Sequence, residues 1–231
     1  MKRNSIRLIY LAVIVIAAIN LSLTACEKTE DLQDTAEAKT NNPSTMDSSE
    51  QESLFIHLES LPVEELSEEE FEGLLYLREE EKLARDTYLF LYELFPFGPF
   101  RNIPKSEQQH MDAVKFLLGR YNIEDPAEGK EYGEFENSEL QDLYNDLTES
   151  GSENVIAALK VGALIEETDI RDLQYELDNN VDNQDISFVY NNLLKGSENH
   201  LRAFTRVLRN YGVEYEPVIL PYEYYKEIIS E

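Results

Sequence analysis

The sequence predicts an all-α chain, a four-helix bundle with one long crossover between the second and third helices. Three observations predict it. Apolar residues recur at three- and four-residue spacing through four separate stretches, whereas strand alternation and hairpin dipeptides are scarce. Stop signals separate the stretches: Pro96, Gly98 and Pro99, then a polar connection of about thirty residues after Tyr121, then an Asn-rich turn near Asn180. Apolar side chains make up 42% of the 231 residues, enough for one core, and no internal repeat is present.

Residues 1–25 precede all of this. Lys2, Arg3 and Arg7 come before an apolar run from Leu8 to Ala18, the form of a signal peptide. The run ends in Leu23-Thr24-Ala25-Cys26, which resembles the lipobox of bacterial lipoproteins. That resemblance implies cleavage before Cys26, lipidation of Cys26, and a lipid-anchored place in the bacterial cell envelope, periplasmic or surface-exposed. The competing reading is an uncleaved anchor helix, since about 18 residues almost span a bilayer. On both readings the remainder works outside the cytoplasm, with the membrane as a partner. Cys26 is the one cysteine, which excludes intrachain disulfides and cysteine-based metal sites. Residues 26–53 are rich in Glu, Asp, Thr, Ser and Asn and read as a disordered acidic tether, leaving 54–231 as the helical domain.

The elements follow in order. Leu54-Phe55-Ile56 is a short apolar patch that straps onto the bundle, with His57 beside it as a surface residue. The first long helix begins at a capping box, Ser67 with Glu70, and runs to about Phe95. Its apolar stripe is Leu74, Leu77, Ala84, Tyr88, Leu91 and Phe95, and the position that the rhythm skips holds Glu81. A carboxylate on a core stripe is costly unless something pairs with it. Glu79 and Glu80 fall off the stripe and are expected in solvent.

The second helix is expected from about Ile103 to Tyr121, capped by Asn102, with Pro104 tolerated in its first turn. Met111, Val114, Leu117 and Leu118 form its apolar face, which Glu107 and His110 continue. The crossover carries a short helix at Glu139 to Leu147, and its length lets helices two and three run parallel. The third helix spans Glu153 to Leu177 through Ala158, Val161, Leu164, Ile165 and Leu173, with Glu166 and Asp169 three apart. Asp182 or Asp185 caps the fourth, which ends near Gly212 and carries His200 on the stripe of Phe188, Val189, Leu193, Leu201, Phe204 and Leu208.

These acids and imidazoles form a constellation. Glu107 and His110 project from one face, about 5–6 Å apart at Cβ, a spacing that closes on one first-row metal ion. Glu166 lies about twelve residues before the turn joining helices three and four, and His200 about fifteen after it, so their depths agree within about 5 Å. The candidate metal shell is Glu81, Glu107, His110, Glu166 and His200, with Asp169 able to swing in. Such donors suit iron, manganese or zinc, as one ion or two. The alternative is a buried charge network with no metal. The formal charge of -27 repels nucleic acid and anionic lipid and concentrates cations, so no nucleic-acid partner is expected. A dimer is compatible with this pattern, as is a monomer.

The motifs resemble a known group. Glu81-Lys82-Leu83-Ala84-Arg85-Asp86-Thr87-Tyr88 resembles the first-helix iron motif of rubrerythrins, Glu107-x-x-His110 matches their second, and Ile165-Glu166-x-x-Asp169 resembles their third. More closely, Leu74 to Pro217 is similar to the domain-of-unknown-function 2202 family, a ferritin-like group, through EEEKLARD, SEQQHMDAV, VGALIEETDI and Asn199 to Phe204. The resemblance implies a ferritin-like bundle that binds iron and has oxidase, peroxidase or ferroxidase activity. The fourth helix departs from the symmetrical pattern, because Ser197 stands where a Glu three before His200 belongs, and Glu198 should point elsewhere. That asymmetry motivates the competing expectation of a non-enzymatic lipoprotein holding one redox-inert ion. Arg202 and Arg206 are expected in solvent or paired with the excess carboxylates. Tyr88 is either a core residue or a hydrogen-bonding and electron-relay neighbour of the metal.

Overall fold

The structure, a computed structural model, describes residues 48–230. The expected signal peptide, Cys26 with its expected lipidation, and nearly all of the expected tether therefore lie outside the described residues. The described chain is all-α, with seven helices and no strand: α1 (Ser48–Ser60), α2 (Glu68–Leu94), α3 (Pro99–Arg120), α4 (Ser138–Gly151), α5 (Val155–Asn179), α6 (Gln184–Asn210) and α7 (Tyr222–Ser230). None of these is long and apolar enough to cross a membrane. Helix α1 begins inside the segment expected to be tether and buries Leu54 and Leu58, while His57 stays exposed against the ring of Phe188.

The four long helices α2, α3, α5 and α6 enclose one interior. Their directions follow from side-chain pairings. Arg78 reaches the Met111 carbonyl and Arg85 reaches Gln108, so α2 and α3 are antiparallel. Ser106 meets His200, and a Cβ on Gly196 would meet His110, so α3 and α6 are antiparallel. Glu166 faces His200 near where Gly162 faces Phe204, so α5 and α6 are antiparallel too. Helices α3 and α5 consequently run parallel, and the crossover with α4 carries the chain back between them.

Ser67 caps α2 as its sequence dictates. Its hydroxyl accepts from the Glu70 N–H at 3.1 Å and Glu70 accepts from the Ser67 N–H at 2.9 Å. Two expected starts are corrected. Helix α3 begins at Pro99, not after an Asn102 cap, because Gly98 takes φ 52°, ψ -132° and Pro99 occupies the first turn without needing an N–H partner. Glu107 thus lies a full turn deeper in its helix. Neither Asp182 nor Asp185 caps α6; Asn183 takes the N-cap position without a side-chain capping bond, and Asp185 is buried in an ion pair with Arg120 at 2.9 Å.

Glu79 and Glu80 are a further correction. Both are buried, at 3% and 4% exposure, because the crossover lies over the outer face of α2. Glu79 accepts the backbone N–H groups of Glu136 and Asn137 at 2.6 and 3.0 Å. Lys82 donates to Asp86 at 2.6 Å and to the Glu131 carbonyl at 2.9 Å, Asp86 accepts the Gly133 N–H, and Arg78 forks onto Asp125. The outer face of α2 is therefore a polar strip that fastens the crossover.

Apolar packing divides into two clusters. One contains Leu83, Tyr88, Leu91, Phe100, Ile103, Leu164, Phe204 and Leu208. The other contains Leu74, Leu77, Val114, Leu117, Leu173, Val189, Tyr190 and Leu193. Between them the four long helices contribute acids, imidazoles and small polar groups at one level.

Candidate metal centre

Glu81 from α2, Glu107 and His110 from α3, Glu166 and Asp169 from α5 and His200 from α6 all point into that level. Each is at most 4% exposed. Their donor atoms form two groups, Glu81 with Glu107 and His110, and Glu107 with Glu166 and His200; within each, one ligand atom per residue lies within 4.8 Å of the others. Glu107 belongs to both. Asp169 belongs to neither, although its charge is felt with those of Glu81, Glu107 and Glu166. Cys26 lies outside the described residues.

The contacts are short, and one of them, His110 Nδ1 to Glu81 Oε2, is a formed hydrogen bond. His110 Nδ1 lies 2.9 Å from Glu107 Oε2 and 3.1 Å from Glu81 Oε2, and His200 Nδ1 lies 2.7 Å from Glu107 Oε1 and 3.4 Å from Glu166 Oε2. Even so, Glu81 Oε1, both oxygens of Glu107, Glu166 Oε2, Asp169 Oδ2 and His200 Nδ1 have no hydrogen-bond partner of acceptable geometry. Buried polar atoms are ordinarily satisfied. Six converging exceptions in one layer are what a missing cation would leave behind. The donor set fits one: oxygen and imidazole nitrogen suit first-row divalent ions, and the four carboxylates balance the charge of two.

The neighbours of the imidazoles set their orientation. His200 Nε2 sits 3.0 Å from Ser106 Oγ, so the hydroxyl can accept a hydrogen bond from Nε2–H and leave the Nδ1 lone pair facing the carboxylates. The His110 ring lies so close to α6 that a Cβ on Gly196 would come within 2.5 Å of its Nε2. Ser106 and Gly196 were not legible as site residues, and the one available signal was a glycine inside an otherwise regular helix. Tyr88 is fully buried and donates to Glu166 Oε1 at 2.6 Å, holding one oxygen while the other stays free.

Electrostatics agree with this crowding. Burial, opposed by His110 and reinforced by Glu107, pushes Glu81 up to about 7, and burial likewise pushes Glu166 up to about 7. Asp169 is raised well above the carboxylate range by burial and the charges of Glu80 and Glu81. Burial works against charge on Glu107, but His200 and His110 outweigh it and hold its pKa low. For the imidazoles burial is overcome by the acids, raising His200 to about 9 and His110 in the same direction. The arrangement demands positive charge, from protons or from metal.

Other expected residues go elsewhere. Arg202 is a correction, because it donates to the Ile228 carbonyl at 2.9 Å and to Asn199, away from the cluster, and so holds α7. Glu198 accepts from Tyr224 at 3.1 Å and is outside both donor groups, and Arg206 is exposed.

Comparison with known proteins follows the same helices. Residues 70–231 match the family described as "Uncharacterized protein domain (DUF2202)". The uncharacterized protein MJ0754 of Methanocaldococcus jannaschii is 53% identical over 174 residues, which are 75% of this chain and 94% of that protein. The crystal structure of that hypothetical protein, from Methanococcus jannaschii DSM 2661, superposes with a TM-score of 0.72 at 53% identity, covering 74% of this chain and 98% of its own. With a family match over most of its length and a relative this similar, the chain belongs to the DUF2202 family.

Proposed function

We propose that the chain is a ferritin-like metalloprotein whose charged layer holds two iron ions, and that it oxidises Fe(II) or reduces dioxygen or peroxide. The observation that carries this is the pair of buried donor groups sharing Glu107, with their oxygen and nitrogen atoms left without hydrogen-bond partners. Four antiparallel-packed long helices with one crossover support the ferritin-like bundle. Glu81 and His110 would hold one ion and Glu166 and His200 the other, with Glu107 common to both donor groups. Bound iron would supply one-electron redox chemistry and open coordination positions. The protein's own part is positional: Ser106 fixes the His200 tautomer, Tyr88 orients Glu166, and the apolar clusters on both sides limit access of bulk water.

A second reading is a non-enzymatic site holding a single redox-inert ion such as zinc. It is favoured by the asymmetry of α6, where Ser197 donates to the Leu193 carbonyl at 3.2 Å and no carboxylate stands three before His200. Metal analysis after stripping and reloading separates the readings. The first expects two ions in the wild type, about one in Glu81→Ala or Glu166→Ala, and none in Glu107→Ala, with consumption of dioxygen or peroxide when Fe(II) is supplied. The second expects one ion and no consumption. Equal metal content in the wild type and all three variants would sink both.

We also propose that residues 1–25 are removed and that Cys26 carries lipid, anchoring residues 54–231 in the cell envelope through the acidic tether. The support is the lipobox-like Leu23-Thr24-Ala25-Cys26, and two or more acyl chains would give stable attachment. Cys26→Ser should accumulate as unprocessed precursor without radiolabelled lipid; normal processing of that variant would retire the anchor.

A further inference from the structure

We propose that divalent cations reach the charged layer through the seam between α3 and α6, where Gly196 faces the outer edge of His110. The inference rests on the metal-binding reading of the layer. Most of the donors are sealed: Glu81, Glu107, Glu166 and His200 are 0% exposed and Asp169 is 1% exposed. His110 is the exception at 4%, and the glycine against its ring is itself only half-buried. The polar contacts of His110 run through Nδ1, to Glu81 and Glu107. Its other edge turns to α6, where a Cβ on Gly196 would lie 2.5 Å from Nε2 and 2.7 Å from Cε1. One imidazole thus meets a donor group with one nitrogen and the rim of the bundle with the other.

The other seams are covered. Helix α4 lies against both α2 and α5. The segment from Tyr215 to Ile228 covers α5 and α6 through Glu167, Glu198 and Arg202. Between α2 and α3, Arg78 and Arg85 reach across on either side of Glu81, and two guanidinium groups repel a cation. Helix α1 bridges α3 and α6 by Phe55 on Phe116 and His57 on Phe188, but about two turns away from His110 and Gly196. An ion stripped of water between apolar side chains gains nothing in return. At this seam it can exchange water for an imidazole nitrogen, and the formal charge of -27 draws cations to the surface in the first place.

Two measurements test the entry. In the full chain without metal, diethyl pyrocarbonate should acylate exposed His57 first, His110 next and His200 only on unfolding, as read by peptide mass spectrometry on the three histidines of the sequence. Cobalt(II), whose visible absorption follows binding, then reports passage. Asn192→Trp, one turn before Gly196 on α6, should slow both loading and removal by a chelator several-fold without changing the amount bound. Exposed Asn191→Trp should change neither rate. A substitution that merely disturbed the donors would speed removal instead. Acylation of His200 as fast as His110, or wild-type or faster removal in Asn192→Trp, would overturn the entry and leave the metal reading standing. If Asn192→Trp does not fold, the order of acylation decides alone. A wild-type protein that takes up no cobalt would overturn both.

Discussion

Glu166 and Glu167 are adjacent on α5 and both are fully buried, yet their surroundings are opposites. Glu167 accepts from the Tyr215 hydroxyl and from the N–H groups of Val218, Ile219 and Leu220 at 3.0, 2.9 and 2.8 Å. Every direction around that carboxylate is answered by a donor. Glu166 receives one donor, Tyr88, and turns its other oxygen towards the His200 imidazole and one more acid, Glu107. Asp86 on α2 belongs with Glu167, being held by Lys82, Arg85 and the Gly133 N–H. Burial of a carboxylate therefore does not mark a site in this protein. Incomplete partnering that converges does, with six such atoms in one layer.

The contrast can be broken most sharply by exchanging the two roles. Glu167→Ala would leave three backbone N–H groups and a phenol unanswered, costing about 3 kcal/mol or more of stability, while the folded fraction keeps its metal. Glu166→Ala should do the reverse, losing metal from the Glu107–Glu166–His200 group at a far smaller cost to the metal-free protein. Chemical denaturation paired with metal analysis reads both, and metal loss in the first variant with none in the second would erase the distinction.

Acidity sharpens it next. Glu81 and Glu166 rise from 4.5 to about 7, and His200 rises from 6.5 to about 9, on folding without metal. In each case the folded state binds protons that the unfolded state has released, so this stability is present at low pH and is lost as pH rises. The metal-free protein should lose melting temperature steadily from about pH 5 to pH 9. Bound metal replaces those protons, so the loaded protein should gain relative to it over the same span. Parallel melting curves for the two forms would contradict the assignment of positive charge to this layer.

The smallest effect concerns Gly196. Gly→Ala inside a helix ordinarily gains about 1 kcal/mol, but a Cβ here would meet the His110 ring at 2.5 Å. Gly196→Ala should bring no gain in stability and should weaken metal uptake at the Glu81–Glu107–His110 group. An ordinary stabilisation with unchanged metal affinity would mean that His110 can move aside freely.

Much of the layer was legible because it depends on helix register alone. Glu81 interrupts an apolar stripe, Glu107 and His110 share a face, and His200 sits on one, so periodicity finds each of them. The capping box at Ser67 was legible for the same local reason. What periodicity cannot supply is the covering of a helix by distant chain. Glu79 and Glu80 looked solvated because the crossover that buries them is fixed by long-range bonds such as Arg78 to Asp125. Helix α3 begins earlier than expected because one backbone conformation at Gly98 decides it. Arg202 found its partner on α7, a helix that the apolar patterning had not separated from the tail.

The clamp on Glu167 also orders events in time. Residues 215–220 leave the ribosome after α2, α3, α5 and α6 have all been made, and domains tend to fold as they emerge. Until those last residues arrive, Glu167 is a charge on an interior face with nothing to receive it, one position from Glu166. Arg202 and Glu198, which bracket His200, wait for the same segment through Ile228 and Tyr224. A nascent chain halted short of residue 215 would hold every donor of the layer and still lack the pieces that seat two of its helices. Assembly of the centre thus waits on the segment from 215 to 228.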